Sequence, residues 1–279
     1  MDVAVVDYTS PTAPEEFATS LRDTGFGVIT NHPLDWSLVE QIYAEWSALF
    51  DDPAVADYTT TDSLTGYFPP EVSETAKGFE VRDLKEFFHV YPWSIYPTQV
   101  TDVAMRYRDQ AMDVALTLLD WVEDQLPPEI AGRLSMPLSQ MMDNSTRTLL
   151  RVLRYPPLPP EVPEGAVRAA AHEDINLLTV LPASDQPGLE LLGANGEWFP
   201  VPTDPGSLAI NGGEMLDLAT EGYYPATKHR VVNPIGEAAQ VSRMSLPLFL
   251  HPADDVVLAE DRTAYEFLMQ RIAELRGDS

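Results

Sequence analysis

The chain has no cysteine among its 279 residues, which excludes disulfides, thiolate nucleophiles, zinc fingers and iron–sulfur clusters together. Any metal must be ligated by His, Asp or Glu, and there are only five histidines. Lysine is nearly missing, occurring only at Lys77, Lys85 and Lys228. A formal charge of −27 repels phosphate backbones and anionic headgroups, whose binding rests on Lys and Arg. Neither nucleic acid nor membrane is therefore the expected partner, and a small molecule is. Long apolar runs are also lacking. The longest, such as residues 245–250, fall far short of the roughly 20 residues that span a bilayer, and no basic stretch precedes the apolar residues at the start. A cytoplasmic, unprocessed protein is the expectation.

What is present is enough apolar side chain, 44% of the residues, to enclose a substantial core. In the first half, residues 3–6 and 25–30 suit strands. A capping box in residues 10–16 leads into a helix to about residue 24. Residues 35–50 space Leu38, Ile42, Trp46 and Leu49 at helical intervals behind Asp35 as N-cap. Residues 51–96 read as loops interrupted by a strand at 84–90. Residues 101–126 form the longest helical pattern, stopped by Pro127 and Pro128.

The second half changes to short β-branched and apolar runs at 146–155, 175–181, 189–192, 207–211, 227–233 and 242–250, punctuated by Pro, Gly and Asn. Asn195-Gly196 marks a hairpin between residues 189–192 and 198–201. Turn-separated strands at about ten-residue spacing point to a double-sheet jelly roll or barrel. The expected fold is mainly β with flanking helices around a double-stranded β-helix core. One domain, 1–279, would comprise a helix-rich part at 1–135, the core at 146–252 and a C-terminal helix in 253–279.

Within Ala169-Ala-Ala-His172-Glu-Asp174, His172 and Asp174 stand two residues apart, so their side chains leave the same face of a strand and can grip one ion. Two imidazoles and a carboxylate form the facial triad of non-haem iron(II), with three positions left open. His229, opening a later strand, is the candidate third ligand. Such a two-residue spacing also arises by chance. Arg243-Met-Ser245 is a second alternating pair, placing a guanidinium fork and a hydroxyl on one face, which suits a buried carboxylate. Taken alone, Arg243 would as readily be a surface ion-pair arginine.

The order of these motifs resembles the isopenicillin N synthase-like family of iron(II) and 2-oxoglutarate-dependent oxygenases. The resemblance rests on residues 25–34 (Gly-Phe-Gly-Val-Ile-Thr-Asn-His-Pro-Leu), Gly66-Tyr67, 83–87, 153–156 (Leu-Arg-Tyr-Pro), 172–180, 188–191, 196–198, 205–206, 210–213, 229–231 and 243–245. It implies metal ligation by His172, Asp174 and His229. It also implies co-substrate carboxylate binding by Arg243 and Ser245, and a hydrogen bond to the co-substrate from Tyr155. The implied cofactors are iron(II), 2-oxoglutarate and dioxygen, with succinate and carbon dioxide released as an unactivated C–H bond is hydroxylated, desaturated or cyclised. Asp174 argues against the related halogenases, which have a small residue there. Isopenicillin N synthase itself, an oxidative cyclase that uses no 2-oxoglutarate, has a longer chain with a C-terminal extension reaching the metal, so a 2-oxoglutarate-dependent relative is expected. The alternatives are such a cyclase and a non-catalytic ligand-binding β-barrel.

Tyr67, Phe68, Phe87 and His89 are candidate substrate-pocket residues, with ordinary aromatic packing as the competing role. His32 and His251 read as structural. Arg82, Arg147 and Arg154 are candidates to hold an anionic substrate.

Overall fold

The computed structural model describes residues 2–60, 64–72, 82–184, 186–202, 204–260 and 262–276; parts of the expected loop region, with Lys77, lie outside them. Among the described residues a nine-stranded sheet contains β1 (Val5–Asp7), β2 (Phe26–Thr30), β3 (Gly66–Phe68), β4 (Glu86–Val90), β5 (Leu149–Tyr155), β7 (Leu178–Pro182), β10 (Leu208–Gly212), β12 (Arg243–Ser245) and β13 (Leu248–Phe249). A four-stranded sheet runs in the order β6 (Ala169–His172), β11 (His229–Val231), β8 (Leu189–Leu192) and β9 (Trp198–Pro200). A small pair, β14 (Val257–Ala259) and β15 (Arg262–Thr263), precedes the last helix.

The larger sheet separates two apolar layers, and the period-2 alternation of strands decides which residue enters which. Leu150 and Val152 of β5, with Leu208 and Ile210 of β10, pack outward against the helices. Leu153, Tyr155 and Ala209 point inward, where they meet Ala169, Leu189, Leu191 and Val231 of the smaller sheet. Two sheets enclosing one interior make the expected jelly roll.

The outer layer is built by α1 (Ala13–Thr24), α2 (Trp36–Asp51) and α3 (Val103–Asp124). In α3, Ala104, Tyr107, Ala111, Ala115, Leu118 and Val122 are buried, the face that the helical spacing predicts. Asp35 caps α2 by accepting from the Ser37 amide. The capping box expected ahead of α1 is not formed: Thr12 is the N-cap but makes no side-chain cap bond. Its hydroxyl donates instead to Glu16 at 2.6 Å, one helical turn along. A short helix α4 (Pro128–Ala131) follows α3.

The run 242–250, expected as one strand, divides into β12 and β13 around Leu246-Pro247. Pro247 has no amide to donate to a ladder; its carbonyl accepts from the Arg151 amide, and both pieces still pair with β5. The Asn195-Gly196 turn joins β8 to β9 with Leu192 opposite Trp198, and Gly196 takes the left-handed φ of +79° that this turn demands.

Candidate metal and co-substrate site

β6 pairs antiparallel with β11 so that His172 stands opposite His229, their ring centroids 4.4 Å apart. His172 ends its strand instead of beginning one, and Asp174 lies in the bend beyond it. Each imidazole Nε2 lies 3.7 Å from Asp174 Oδ1. All three ligand atoms fall within 4.8 Å of one another, and no other such group occurs among the described residues.

The outward atoms of the triad are each occupied. His172 Nδ1 is 2.7 Å from the Ala170 carbonyl and His229 Nδ1 is 3.0 Å from that of Thr227. A carbonyl can only accept, so both Nδ1 atoms carry the proton and both Nε2 lone pairs face inward. Asp174 Oδ2 accepts from the Thr179 hydroxyl at 2.6 Å and from the Asn211 amide at 2.8 Å, turning Oδ1 toward the imidazoles. Burial opposes ionisation of Asp174, but the two histidines and these hydrogen bonds outweigh it and hold the carboxyl below its ordinary range. Burial first, then His229, push His172 down to about 4, so its lone pair is available at neutral pH. His172 keeps 39% of its side-chain surface open, against 9% for His229 and 6% for Asp174; the site is approached over His172.

The bend carrying Asp174 is gripped by α5 (Glu214–Ala219). The amides of Gly213, Glu214 and Met215 donate to the carbonyls of Leu177, Asp174 and Ile175. Gly213 permits this approach because a Cβ there would lie 2.2 Å from the Asn176 carbonyl oxygen. In the sequence Thr179 and Asn211 fall inside the motifs at 172–180 and 210–213 with nothing to mark a role; the β7–β10 register that sets Asn211 opposite Thr179 reveals it.

In β12, Arg243 lies opposite Tyr155 and Ser245 opposite Leu153, so all three candidate co-substrate residues belong to neighbouring strands and all are buried. The Arg243 guanidinium donates to the Pro187 carbonyl at 3.1 Å and sits 5.9 Å from the Tyr155 ring. Burial raises the Tyr155 pKa, keeping it a phenol that can donate.

The four substrate-pocket candidates divide. Phe87 and His89 lie on the same face of β4 and stack at 4.9 Å, and Phe68 covers both at 4.8 and 4.7 Å. Phe68 and Phe87 join the inner layer. Tyr67 alternates to the other face, where it belongs to the outer layer and donates to Glu86 at 2.5 Å.

The expected anion-binding arginines are not gathered at the site. Arg154 points outward and bonds Glu86 at 2.7 Å and Asp51 at 2.5 Å. Arg147 pairs with Asp254 at 2.9 Å, and Arg82 is exposed. Arg151, on the inner face of β5 and not singled out by sequence, instead donates to His89 Nε2 at 3.0 Å and lies 4.3 Å from the Phe87 ring centroid. His32 bonds the Gly206 carbonyl. His251 bonds the Phe249 carbonyl and lies within the electrostatic field of Asp174.

Comparison with known proteins agrees with this geometry. Residues 147–252 match the model of the 2OG-Fe(II) oxygenase superfamily, and residues 4–111 match that of the N-terminal region of the non-haem dioxygenases in morphine synthesis. A crystal structure from Shewanella oneidensis described as an oxygenase is 45% identical, covers 99% of both chains and superposes with a TM-score of 0.89. Mugineic-acid 3-dioxygenase from Hordeum vulgare is 28% identical over 257 residues, 85% of this chain and 69% of that protein. A Neurospora crassa structure in complex with alpha-KG shares the fold, with a TM-score of 0.78 at 18% identity over 99% of this chain and 96% of that one. The chain belongs to the 2OG-Fe(II) oxygenase superfamily, whose members use iron(II), 2-oxoglutarate and dioxygen.

Proposed function

We propose that this chain holds iron(II) with His172, Asp174 and His229, binds 2-oxoglutarate against Arg243, Ser245 and Tyr155, and oxidises an unactivated C–H bond of a small molecule. The observation that carries the reading is the orientation of the triad. Both Nε2 atoms and one carboxylate oxygen converge, while every opposite atom is spent on a backbone carbonyl, Thr179 or Asn211. A purely structural cluster has no need of three inward lone pairs beside an open approach. Two imidazoles and one carboxylate suit iron(II) with open positions.

Bound there, iron(II) with 2-oxoglutarate and dioxygen supplies the oxidising power, releasing succinate and carbon dioxide. The protein's part is positional. Thr179 and Asn211 keep Asp174 from rotating. Arg243 and Ser245 receive the distal carboxylate in a buried setting where a charge-assisted bond is strong, and the Tyr155 hydroxyl donates to the co-substrate. Phe68, Phe87 and His89 wall the substrate side and limit water near the reacting centre. The whole chain works as one domain of the isopenicillin N synthase-like kind. A cytoplasmic location belongs to the same proposal; among the described residues no helix is long and apolar enough to cross a membrane.

The test is substrate-free succinate formation from 2-oxoglutarate with iron(II) and oxygen. Slow turnover in wild type, abolished by His172→Ala and weakened by Arg243→Ala, is expected. If no succinate forms and calorimetry detects no 2-oxoglutarate binding, an oxidative cyclase that needs no 2-oxoglutarate becomes the better assignment.

A further inference from the structure

Arg168 immediately precedes β6, four residues and roughly 13 Å of extended chain from His172. Its side chain is fully buried, yet no ion pair ties it to a carboxylate of the described residues. Its two Nη groups donate to neutral acceptors, Gln186 Oε1 at 3.2 Å and the Val241 carbonyl at 3.2 Å. Its Nε has no partner. A buried guanidinium with no counter-charge is costly, because desolvation is not repaid by an ion pair. Burial and the nearby charge of Arg243 accordingly depress its pKa.

Arg168 shares its surroundings with Arg243, the candidate co-substrate arginine. The Arg168 guanidinium lies 5.7 Å from the Tyr155 ring centroid and that of Arg243 lies 5.9 Å from the same ring. One loop holds both: Gln186 accepts from Arg168 and donates to the Ser242 carbonyl, and the next residue, Pro187, accepts from Arg243. Across this shared phenol the charge of Arg243 disfavours that of Arg168, and a carboxylate seated against Arg168 would offset that effect.

From this geometry we infer that Arg168 is a second co-substrate-binding arginine, which clamps the distal carboxylate of a 2-oxo dicarboxylate together with Arg243. The inference rests on the 2-oxoglutarate reading above. The unpartnered Nε and an adjacent Nη edge form the fork that accepts a carboxylate side-on. The clamp makes a second negative charge on the co-substrate a requirement, so 2-oxo acids without one are selected against.

The experiment is calorimetry on the full chain loaded with Mn(II) under nitrogen, titrating 2-oxoglutarate and, separately, 2-oxopentanoate, which has a methyl group in place of the distal carboxylate. Arg168→Gln should weaken 2-oxoglutarate at least about tenfold, or about 1.4 kcal/mol, and leave 2-oxopentanoate unchanged. Arg168→Lys, which keeps the charge but loses the fork, should fall between. In metal-free protein, 2-oxoglutarate should raise the melting temperature of wild type more than that of Arg168→Gln. Equal losses for both ligands, or no loss for either, would overturn the clamp while leaving the 2-oxoglutarate assignment standing. Failure of wild type to bind 2-oxoglutarate at all would overturn that assignment and the clamp with it. Should Arg168→Gln not fold, the same two-ligand comparison on Arg168→Lys decides.

Discussion

Thr179 and Asn211 face one another across β7 and β10 and donate to the same oxygen of Asp174. Neither is a ligand, but together they set which carboxylate oxygen points to the centre. Removing such an orienting group commonly lowers metal affinity about 10- to 100-fold. Thr179→Val and Asn211→Leu should each weaken Mn(II) binding in that range while the circular dichroism spectrum is retained. Unchanged affinity in both would show that the bend alone orients Asp174.

Gly213→Ala tests the bend. Its Cβ would lie 2.2 Å from the Asn176 carbonyl oxygen, so either the chain around Asp174 or the start of α5 must move. A stability loss of about 1–3 kcal/mol is expected in urea denaturation, together with weaker metal binding. A variant destabilised but binding metal normally would mean that the helix yields and the ligand bend does not.

Arg154 is predicted to matter for folding and not for the substrate. Its side chain and that of Glu86 are 12% and 6% exposed, and Arg154→Ala strands a buried carboxylate at a cost of about 3–5 kcal/mol. Glu86→Gln in the same chain should recover part of that loss in thermal denaturation. Substrate-free succinate formation per folded molecule should match wild type; a drop of tenfold or more would assign Arg154 a place in the site.

Tyr155→Phe should lower 2-oxoglutarate affinity about 2- to 10-fold, the worth of one hydrogen bond of ~0.5–1.5 kcal/mol. Because burial raises the Tyr155 pKa, its proton is retained well beyond neutrality. The ratio of wild-type to variant affinity should therefore stay flat between pH 6 and 9. A ratio that collapses toward pH 9 would show that the phenol ionises in that range.

Much of the architecture was legible because it depends on short-range patterns. The helical spacing in residues 101–126 marked the buried face of α3, and Asn195-Gly196 marked the hairpin between β8 and β9. The pair His172 and Asp174 also stood out, since two potential ligands so close in the chain leave little freedom in where they meet. Pro247 was visible too, but whether it ends a strand or interrupts one depends on its partner strand, β5.

Other features depend on which face a strand turns inward. Tyr67 and Phe68 are neighbours in sequence, yet one bonds Glu86 in the outer layer and the other stacks on Phe87 in the inner one. Arg154 was a candidate to hold an anionic substrate and Arg151 was not singled out; three residues apart on an alternating strand, they point to opposite layers.

The sequence by itself determined the chemistry available to this protein: histidine and carboxylate ligands without thiolates, an acidic surface, and a strand-rich second half carrying His172, Asp174, His229 and Arg243 in order. Tertiary structure alone decided their convergence, the tautomers set by Ala170 and Thr227, the locking of Asp174 by Thr179 and Asn211, and the burial of Arg168 beside Tyr155. The physical reason is that ligand type is a property of a residue, whereas ligand direction and charge compensation depend on the strand register and loop packing that bring distant residues together.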